Sequence, residues 1–215
     1  MGVQQASLDG IMACGERFKK GVLVPFSNLI RWGALAAILG GALSILFPFL
    51  GENNWAHVPV DAARYALLVV GIAGLYLYLR RSRGFGRLGA VGFYVCIFVF
   101  ALVAILDLGI IVNEGVEQTY IALGPVRGPL LLLGLLLFGT AVLRAGRLPR
   151  GGALLLIATA LTNVLGILAM IISGGTLGSW VFILPTVLFG LGWAWLGYGL
   201  WSEGSATAEE SVRVR

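Results

Sequence analysis

Six long apolar runs dominate this 215-residue sequence and limit its fold more than any other feature. A helix that crosses a membrane needs about 20 mostly apolar residues. Runs of about that length occur at Trp32–Leu50, Ala62–Leu79, Leu88–Val112, Val126–Leu143, Gly152–Ile172 and Trp180–Trp201. Helices satisfy their own backbone hydrogen bonds in lipid. The sequence therefore predicts an all-α membrane protein, a bundle of six transmembrane helices.

The composition excludes the common classes of soluble protein. Only 12% of the residues are charged and 59% are hydrophobic, and the mean hydropathy is +0.94. An average soluble domain is about half apolar and roughly a quarter charged. A water-soluble globule, a disordered chain and a nucleic-acid-binding module are therefore excluded. Residues 1–31 predict a head with an interfacial helix, and residues 202–215 a disordered tail.

The basic residues indicate how the bundle lies in the membrane. Of the 15 Lys and Arg residues, 13 lie in the head, the second and fourth loops and the tail. Only Arg64 and Arg127 lie elsewhere. Six spans put the head, these two loops and the tail on one side, which the positive-inside rule assigns to the cytoplasm. We expect a multi-pass protein of the plasma membrane with both termini cytoplasmic and with membrane lipids, anionic headgroups included, as partners.

The second and fourth loops are alike, since each passes from an apolar helix end through Arg and Gly to a small-residue helix start. This similarity favours three divergent helical hairpins. With its Arg/Gly/Pro turns and a Trp-rich last helix (191–198), the chain resembles small uncharacterised bacterial integral membrane proteins with six spans. The resemblance lies in pattern and composition, so it implies the architecture and carries over no site residue, ligand or partner.

Small residues recur four apart on several predicted helices, which lets helix backbones approach closely in lipid. We expect these stripes to pack within the bundle, and the alternative is contact with another subunit. The residues are Gly33, Ala37 and Gly41; Ala158, Thr162 and Gly166; and Gly190 and Ala194.

Asp107 is the only acidic side chain well inside a predicted span. A charge at membrane depth costs a few kcal/mol and usually has a partner. We expect an ion pair with Arg64 or Arg127, which enter from the same side; a proton or cation relay and a ligand-binding carboxylate are the alternatives. Asn163, midway along the fifth span, is expected to hydrogen-bond a neighbouring helix rather than a substrate.

No metal site or cofactor is predicted. His57, Glu114 and Glu117, with Glu52 and Asp61, lie near one surface, but no metal-binding spacing organises them, so we interpret them as solvated loop ends. His57 is the only histidine and lies outside the predicted spans. Bis-histidine haem and a three-histidine zinc hydrolase within the membrane are therefore excluded.

Three functional hypotheses remain, of which the sequence favours the first and leaves the other two as alternatives. The first is a non-catalytic accessory or scaffold subunit, or a self-associating bundle, with a protein partner or a second copy in the membrane. The second is a small transporter or channel that uses Asp107 and Asn163. The third is an enzyme that modifies lipids at the outer surface through carboxylates and His57.

Overall fold

The computed structural model describes residues 28–50, 57–80, 85–113, 115–174 and 179–213. All six of its helices are long and apolar enough to cross a membrane. They are α1 (Asn28–Phe49, ending in a 3-10 turn), α2 (His57–Leu79), α3 (Gly86–Val112), α4 (Val116–Ala145), α5 (Arg150–Ile172) and α6 (Ile183–Arg213). A 3-10 turn, Ser179–Phe182, precedes α6. The described ranges contain no strand, and the predicted six-helix fold is confirmed.

Consecutive helices run antiparallel, and the last helix returns to the first. On α3 and α4, for example, Gly92 lies against Phe138 and Gly134 against Cys96. The connections α2–α3 and α4–α5 form an arginine-rich end, where the exposed arginines are Arg80, Arg87, Arg144, Arg147 and Arg150. The connections α1–α2, α3–α4 and α5–α6 form the opposite end.

Glycines bring α1 into backbone contact with two neighbours. A Cβ on Gly33 would lie 2.7 Å from the Cα of Gly74 on α2. A Cβ on Gly41 would lie 2.5 Å from the carbonyl oxygen of Gly190 and 2.7 Å from the nitrogen of Ala194 on α6. Because lipid provides little hydrophobic force between helices, such close packing is a main source of their association.

The other small residues of the predicted stripes pack against neighbouring helices or form hydrogen bonds within their own helix. Ala37 lies against Gly71, and a Cβ on Gly166 would lie 2.9 Å from the side chain of Val181. The Thr162 hydroxyl donates a hydrogen bond to the carbonyl of Ala158, 2.8 Å away on α5. These positions are used within a single chain.

Trp193 of α6 lies at the centre of the apolar core and is fully buried. Its ring stacks on Phe138 of α4, with centroids 5.9 Å apart. It meets Phe100 of α3 and Phe189 of α6 edge-on, at 5.7 Å and 6.1 Å. Aromatic pairs of this kind contribute about 0.5–1.5 kcal/mol beyond the area they bury. This cluster joins three helices near the middle of the bundle.

Three helices begin a turn or more before the apolar runs predicted, and one of them, α1, begins at Asn28 rather than Trp32. α4 begins at Val116 rather than Val126, and it continues through Pro125 and Pro129. α2 begins at His57 rather than Ala62. The prediction was wrong at α4 because proline and glycine, which disfavour helix interiors in water, are tolerated in membrane helices.

The ends of the chain differ from the predicted head and tail. Residues 28–31 belong to α1, and the predicted interfacial helix lies outside the described residues. The tail was predicted to be disordered from residue 202, but α6 continues to Arg213, through a stretch rich in the good helix formers Ala and Glu. At the arginine-rich end the Tyr78 hydroxyl hydrogen-bonds Glu203, and Arg31 lies 5.2 Å from the ring centroid of Trp201.

We predict that Gly41→Ala lowers stability because its methyl group would overlap the backbone of α6. Overpacking of this kind costs about 1–3 kcal/mol, which outweighs the gain of about 1 kcal/mol in helix propensity. The midpoint of thermal unfolding in mild detergent measures the loss. Gly124→Ala is the matched control, since no atom lies within 4 Å of its added Cβ. Equal midpoints for the two variants would contradict the α1–α6 contact.

Candidate functional site

Helix α2 carries a buried ion pair between Asp61 and Arg64. Asp61 was predicted to lie at a loop end, but α2 begins at His57 and includes both residues. Residues three apart share one face of a helix. The Nε atom of Arg64 contacts Oδ1 of Asp61, and the two side chains are 8% and 7% exposed. Removing either partner would leave an uncompensated buried charge.

Aromatic rings enclose the guanidinium of Arg64. Its Cζ atom lies 3.9 Å from the ring centroid of Phe47 on α1 and 4.6 Å from that of Tyr65. Its Nη2 donates a hydrogen bond of 3.3 Å to the Tyr65 hydroxyl. A cation against an aromatic face gains about 2 kcal/mol or more when it is desolvated. The charge is therefore held at the junction of α1 and α2.

Helix α3 contributes a second buried carboxyl group, that of Asp107, which is 3% exposed. It lies within hydrogen-bonding reach of Asp61 and within electrostatic range of Arg127 and Arg64. The predicted ion pair between Asp107 and an arginine is not formed within the described ranges, because Arg64 pairs with Asp61. For Arg64, Asp61 is the nearer carboxylate partner, since Asp61 lies one turn away from it on α2.

Helix α4 contributes Arg127, which is half-buried. Its Cζ atom lies 4.1 Å from the ring centroid of Tyr120, two turns earlier on the same helix. The buried atoms Arg127 Nη1 and Asp107 Oδ2 find no hydrogen-bond partner in the described part of the chain. A buried polar atom without a partner costs about 1–3 kcal/mol, and more when it is charged. We call Asp61, Arg64, Asp107 and Arg127 the charged cluster.

The charged cluster lies well inside the bundle. Arg64 is seven residues from the start of α2 and Asp107 five residues from the end of α3. At a rise of 1.5 Å per residue, these positions are about 10 Å and about 8 Å from the opposite end. When these helices are centred in a bilayer, both positions fall within its hydrocarbon region, which is about 30 Å thick.

A cavity of about 160 Å³ adjoins the charged cluster between α2, α4, α5 and α6. Its polar lining comes from Arg64, Tyr65, Thr159, Asn163 and Thr186. The rest of the wall is formed by apolar side chains and a glycine: Gly128, Leu131, Leu132, Leu135, Ile167, Pro185 and Phe189. Pockets of this kind, mostly apolar with a few converging polar groups, are typical of small-molecule sites.

Asn163 lines this cavity, and among the described residues its amide bonds within its own helix rather than to a neighbouring helix as predicted. Its Nδ2 donates to the carbonyl of Thr159, 3.1 Å away on α5. The Thr159 hydroxyl in turn donates to the carbonyl of Leu155 at 2.9 Å. The prediction was wrong because the carbonyl one turn back on α5 accepts the bond. One amide N–H of Asn163 is not used in this bond.

The residues considered for a metal site do not form one in the part of the chain that the structure describes. The His57 ring lies 4.4 Å from that of Phe47, centroid to centroid. Glu117 is exposed, and Glu52 and Glu114 lie outside the described residues.

Sequence reasoning identified Asp107, Arg64, Arg127 and Asn163 but missed Asp61, Tyr65 and Tyr120 as neighbours of the cluster. A usable signal was present. Asp61 and Arg64 are three residues apart, the spacing of an ion pair on one helix face. Extending α2 by one turn would have put both inside it.

No family model matches the chain, and neither the curated proteins nor the solved structures contain a significant match to it.

We predict that Arg64→Gln is more destabilising than the double variant Asp61→Asn/Arg64→Gln. The single change leaves Asp61 and Asp107 facing each other without the nearest cation. Breaking a buried pair from one side costs about 3–5 kcal/mol, whereas replacing both partners costs less. Unfolding free energies in mixed detergent micelles measure the difference. Thr162→Val serves as a control on α5, and equal losses for the single and double variants would contradict the pairing.

Proposed function

We propose that this protein is a small membrane transporter that moves protons together with a small solute. The solute site is the cavity between α2, α4, α5 and α6, with Asn163 in its wall. The proton site is Asp107, which faces Asp61 beside that cavity.

The observation that carries the proposal is the position of the cavity against the charged cluster. Arg64 belongs to both, because it lines the cavity and pairs with Asp61. A solute in the cavity would therefore contact a group whose partner carboxyl lies within hydrogen-bonding reach of Asp107. That connection is what coupling between a solute and a proton requires.

The energetic cost of the cluster favours a functional role over a purely structural one. Charged side chains within the membrane cost a few kcal/mol each and are typical of proton relays and solute paths. A pair on one helix, such as Asp61 and Arg64, does not tie two helices together. Replacing a buried ion pair by apolar side chains is often neutral or stabilising.

Helix α4 supplies a second feature found in transporters. Its prolines, Pro125 and Pro129, lie in the helix interior on either side of Arg127. Because proline has no amide hydrogen, each removes the donor for the carbonyl four residues earlier. Transporters commonly interrupt helices with proline or glycine beside their substrate sites; α4 carries such prolines but stays helical from Val116 to Ala145.

We assign the arginine-rich end to the cytoplasm, which makes both termini cytoplasmic and places Arg64 and Asp107 nearer the outer face. The support is the positive-inside rule together with the exposed arginines at that end. In a plasma membrane these two residues then lie closer to the external solution than to the cytoplasm.

The other two hypotheses stay predictions with less support. A scaffold or self-associating subunit was inferred from small-residue stripes, but Gly33, Gly41 and Gly166 make contacts within one chain. A defined oligomer in mild detergent would revive that hypothesis. A lipid-modifying enzyme would need a base beside a nucleophile, and the ring that His57 meets in the described structure is that of Phe47.

We predict that Asp107→Asn reduces proton flux to the rate of protein-free liposomes, because an amide cannot accept and release the proton. The flux is followed with an enclosed pH-sensitive dye after a pH step, with butyrate, butyramide or butylammonium added in turn as the solute and with valinomycin and potassium holding the membrane potential at zero. Protein-free liposomes with the same solute give the passive rate. Asn163→Leu is expected to lower flux as well, since it removes a polar group from the cavity.

Thr162→Val is the control for both variants, because its hydroxyl bonds within α5 and it is not part of the cavity lining. It should retain the wild-type flux. Unchanged flux in Asp107→Asn, in a variant that still purifies as a folded protein, would overturn the proposal.

We predict that a membrane-impermeant maleimide labels Glu117→Cys but not Arg147→Cys in intact cells that produce the protein in a cysteine-free background. Both side chains are exposed and lie at opposite ends of the bundle. After lysis both positions should react. Labelling of Arg147→Cys alone in intact cells would reverse the orientation.

A further inference from the structure

We infer that the solute is a small organic monocarboxylate, whose carboxylate binds at Arg64 and Asn163 while its apolar body lies against α4 and α6. The inference rests on the proposed function and adds to it the chemical class of the solute. Size, lining and charge of the cavity each contribute to it.

The volume of the cavity matches a solute about as large as benzene. The cavity volume of about 160 Å³ is close to that of an engineered cavity of roughly 150 Å³ that binds benzene. A solute that fills it has about six non-hydrogen atoms. Most of a long-chain acid, a sugar or a nucleotide would lie outside it.

The lining is divided between a polar and an apolar part. Arg64 is the only charged side chain among the described residues that line the cavity, and Asn163 and Thr159 lie on another wall. The apolar part is formed by Leu131, Leu132, Leu135, Ile167 and Phe189. A molecule with an anionic head and a short hydrocarbon body matches both parts.

Arg64 and Asn163 each have hydrogen-bond donors to offer. The Nε and Nη2 of Arg64 contact Asp61 and Tyr65, which leaves, as far as the described residues go, the two hydrogens of Nη1 for a ligand. Asn163 uses one of its two amide hydrogens on Thr159. Charge-assisted hydrogen bonds from guanidinium to carboxylate are among the strongest in proteins.

Charge balance explains why a proton accompanies the anion. With all groups ionised, the two arginines and two aspartates of the charged cluster balance each other. An added carboxylate would introduce an unbalanced negative charge at membrane depth. One proton, held between Asp61 and Asp107, restores the balance, so that anion and proton enter together as one neutral unit.

The groups that face Asp107 are consistent with this arrangement. From α2 these are Asp61 and Arg64, and from α4 they are Arg127 and Tyr120. The two arginines carry the positive charges of the cluster, and Asp61 is a second carboxyl group with which Asp107 can share a proton. An anion bound at Arg64 adds a negative charge that this shared proton offsets.

Butyrate, butyramide and butylammonium test the inference because they share nearly the same shape and differ in charge. Binding to the full chain in detergent is measured by isothermal titration calorimetry and by the shift in thermal unfolding. Butyrate is expected to bind and to raise the unfolding midpoint, while the amide and the ammonium ion do not. Octanoate, which exceeds the cavity, should bind at least about tenfold more weakly than butyrate.

Substitutions in the cavity wall connect binding to the named residues. Asn163→Leu should raise the dissociation constant of butyrate about tenfold, the effect of losing one hydrogen bond to a charged group. Arg64→Lys keeps the charge but not the planar fork, and it should also weaken binding. Thr162→Val, which lies outside the cavity lining, should bind as the wild type does.

The outcomes separate this inference from the proposed function. Equal binding of butyrate and butyramide, or unchanged butyrate binding in Asn163→Leu, overturns the assignment of the solute. Butyrate binding without proton flux in the liposome experiment retains the carboxylate site and overturns the transporter. Proton flux that depends on Asp107, without butyrate binding, retains the transporter and overturns the monocarboxylate.

Discussion

Close backbone contact between helices is the constraint on which the rest of this structure depends. In lipid, apolar side chains gain little free energy when they exchange contact with lipid for contact with one another. Helices therefore associate where their backbones can approach closely. Gly33 provides this approach to α2 and Gly41 to α6. With α1 fixed between α2 and α6, Phe47 at its end lies over the guanidinium of Arg64. The contacts of Gly33 and Gly41 therefore help to set where the ring of Phe47 meets the charge of Arg64.

The fold could be predicted from the sequence, and its helix ends only in part. Six helices follow from six apolar runs, because hydropathy and length suffice to recognise a span. The predicted helix ends are wrong where a helix contains polar residues or proline near its start. α2 includes Asp61, and α4 includes Pro125 and Pro129. The average hydropathy falls at these residues, so it places the start of both helices too late in the sequence. After its apolar part, α6 continues to Arg213 because the residues there have high helix propensity. The length of an apolar run gives no information on such an extension.

The candidate site was predictable as a set of residues but not as an arrangement. Asp107, Arg64 and Asn163 attract notice because polar groups in spans are costly. Which carboxyl meets which arginine depends on the register of α2 against α3, and that register is set by packing that one sequence does not reveal. Arg64 pairs with Asp61 on its own helix, and Asn163 bonds back to Thr159. In both cases the partner one turn away was overlooked in favour of one across the bundle.

The contact between Gly41 and Gly190 joins the first helix to the last, about 150 residues apart along the chain. A ribosome adds about 5–20 residues per second, so α1 waits about 8–30 s for α6 to be synthesised. During that interval Gly41 lacks the partner that it has in the folded protein, although α2 is already there to cover Gly33. Folding of this protein is therefore complete only when its last helix is in place. A chain truncated before α6 would leave the side of α1 around Gly41 without its helix partner, and membrane quality control would have that unpaired surface to recognise.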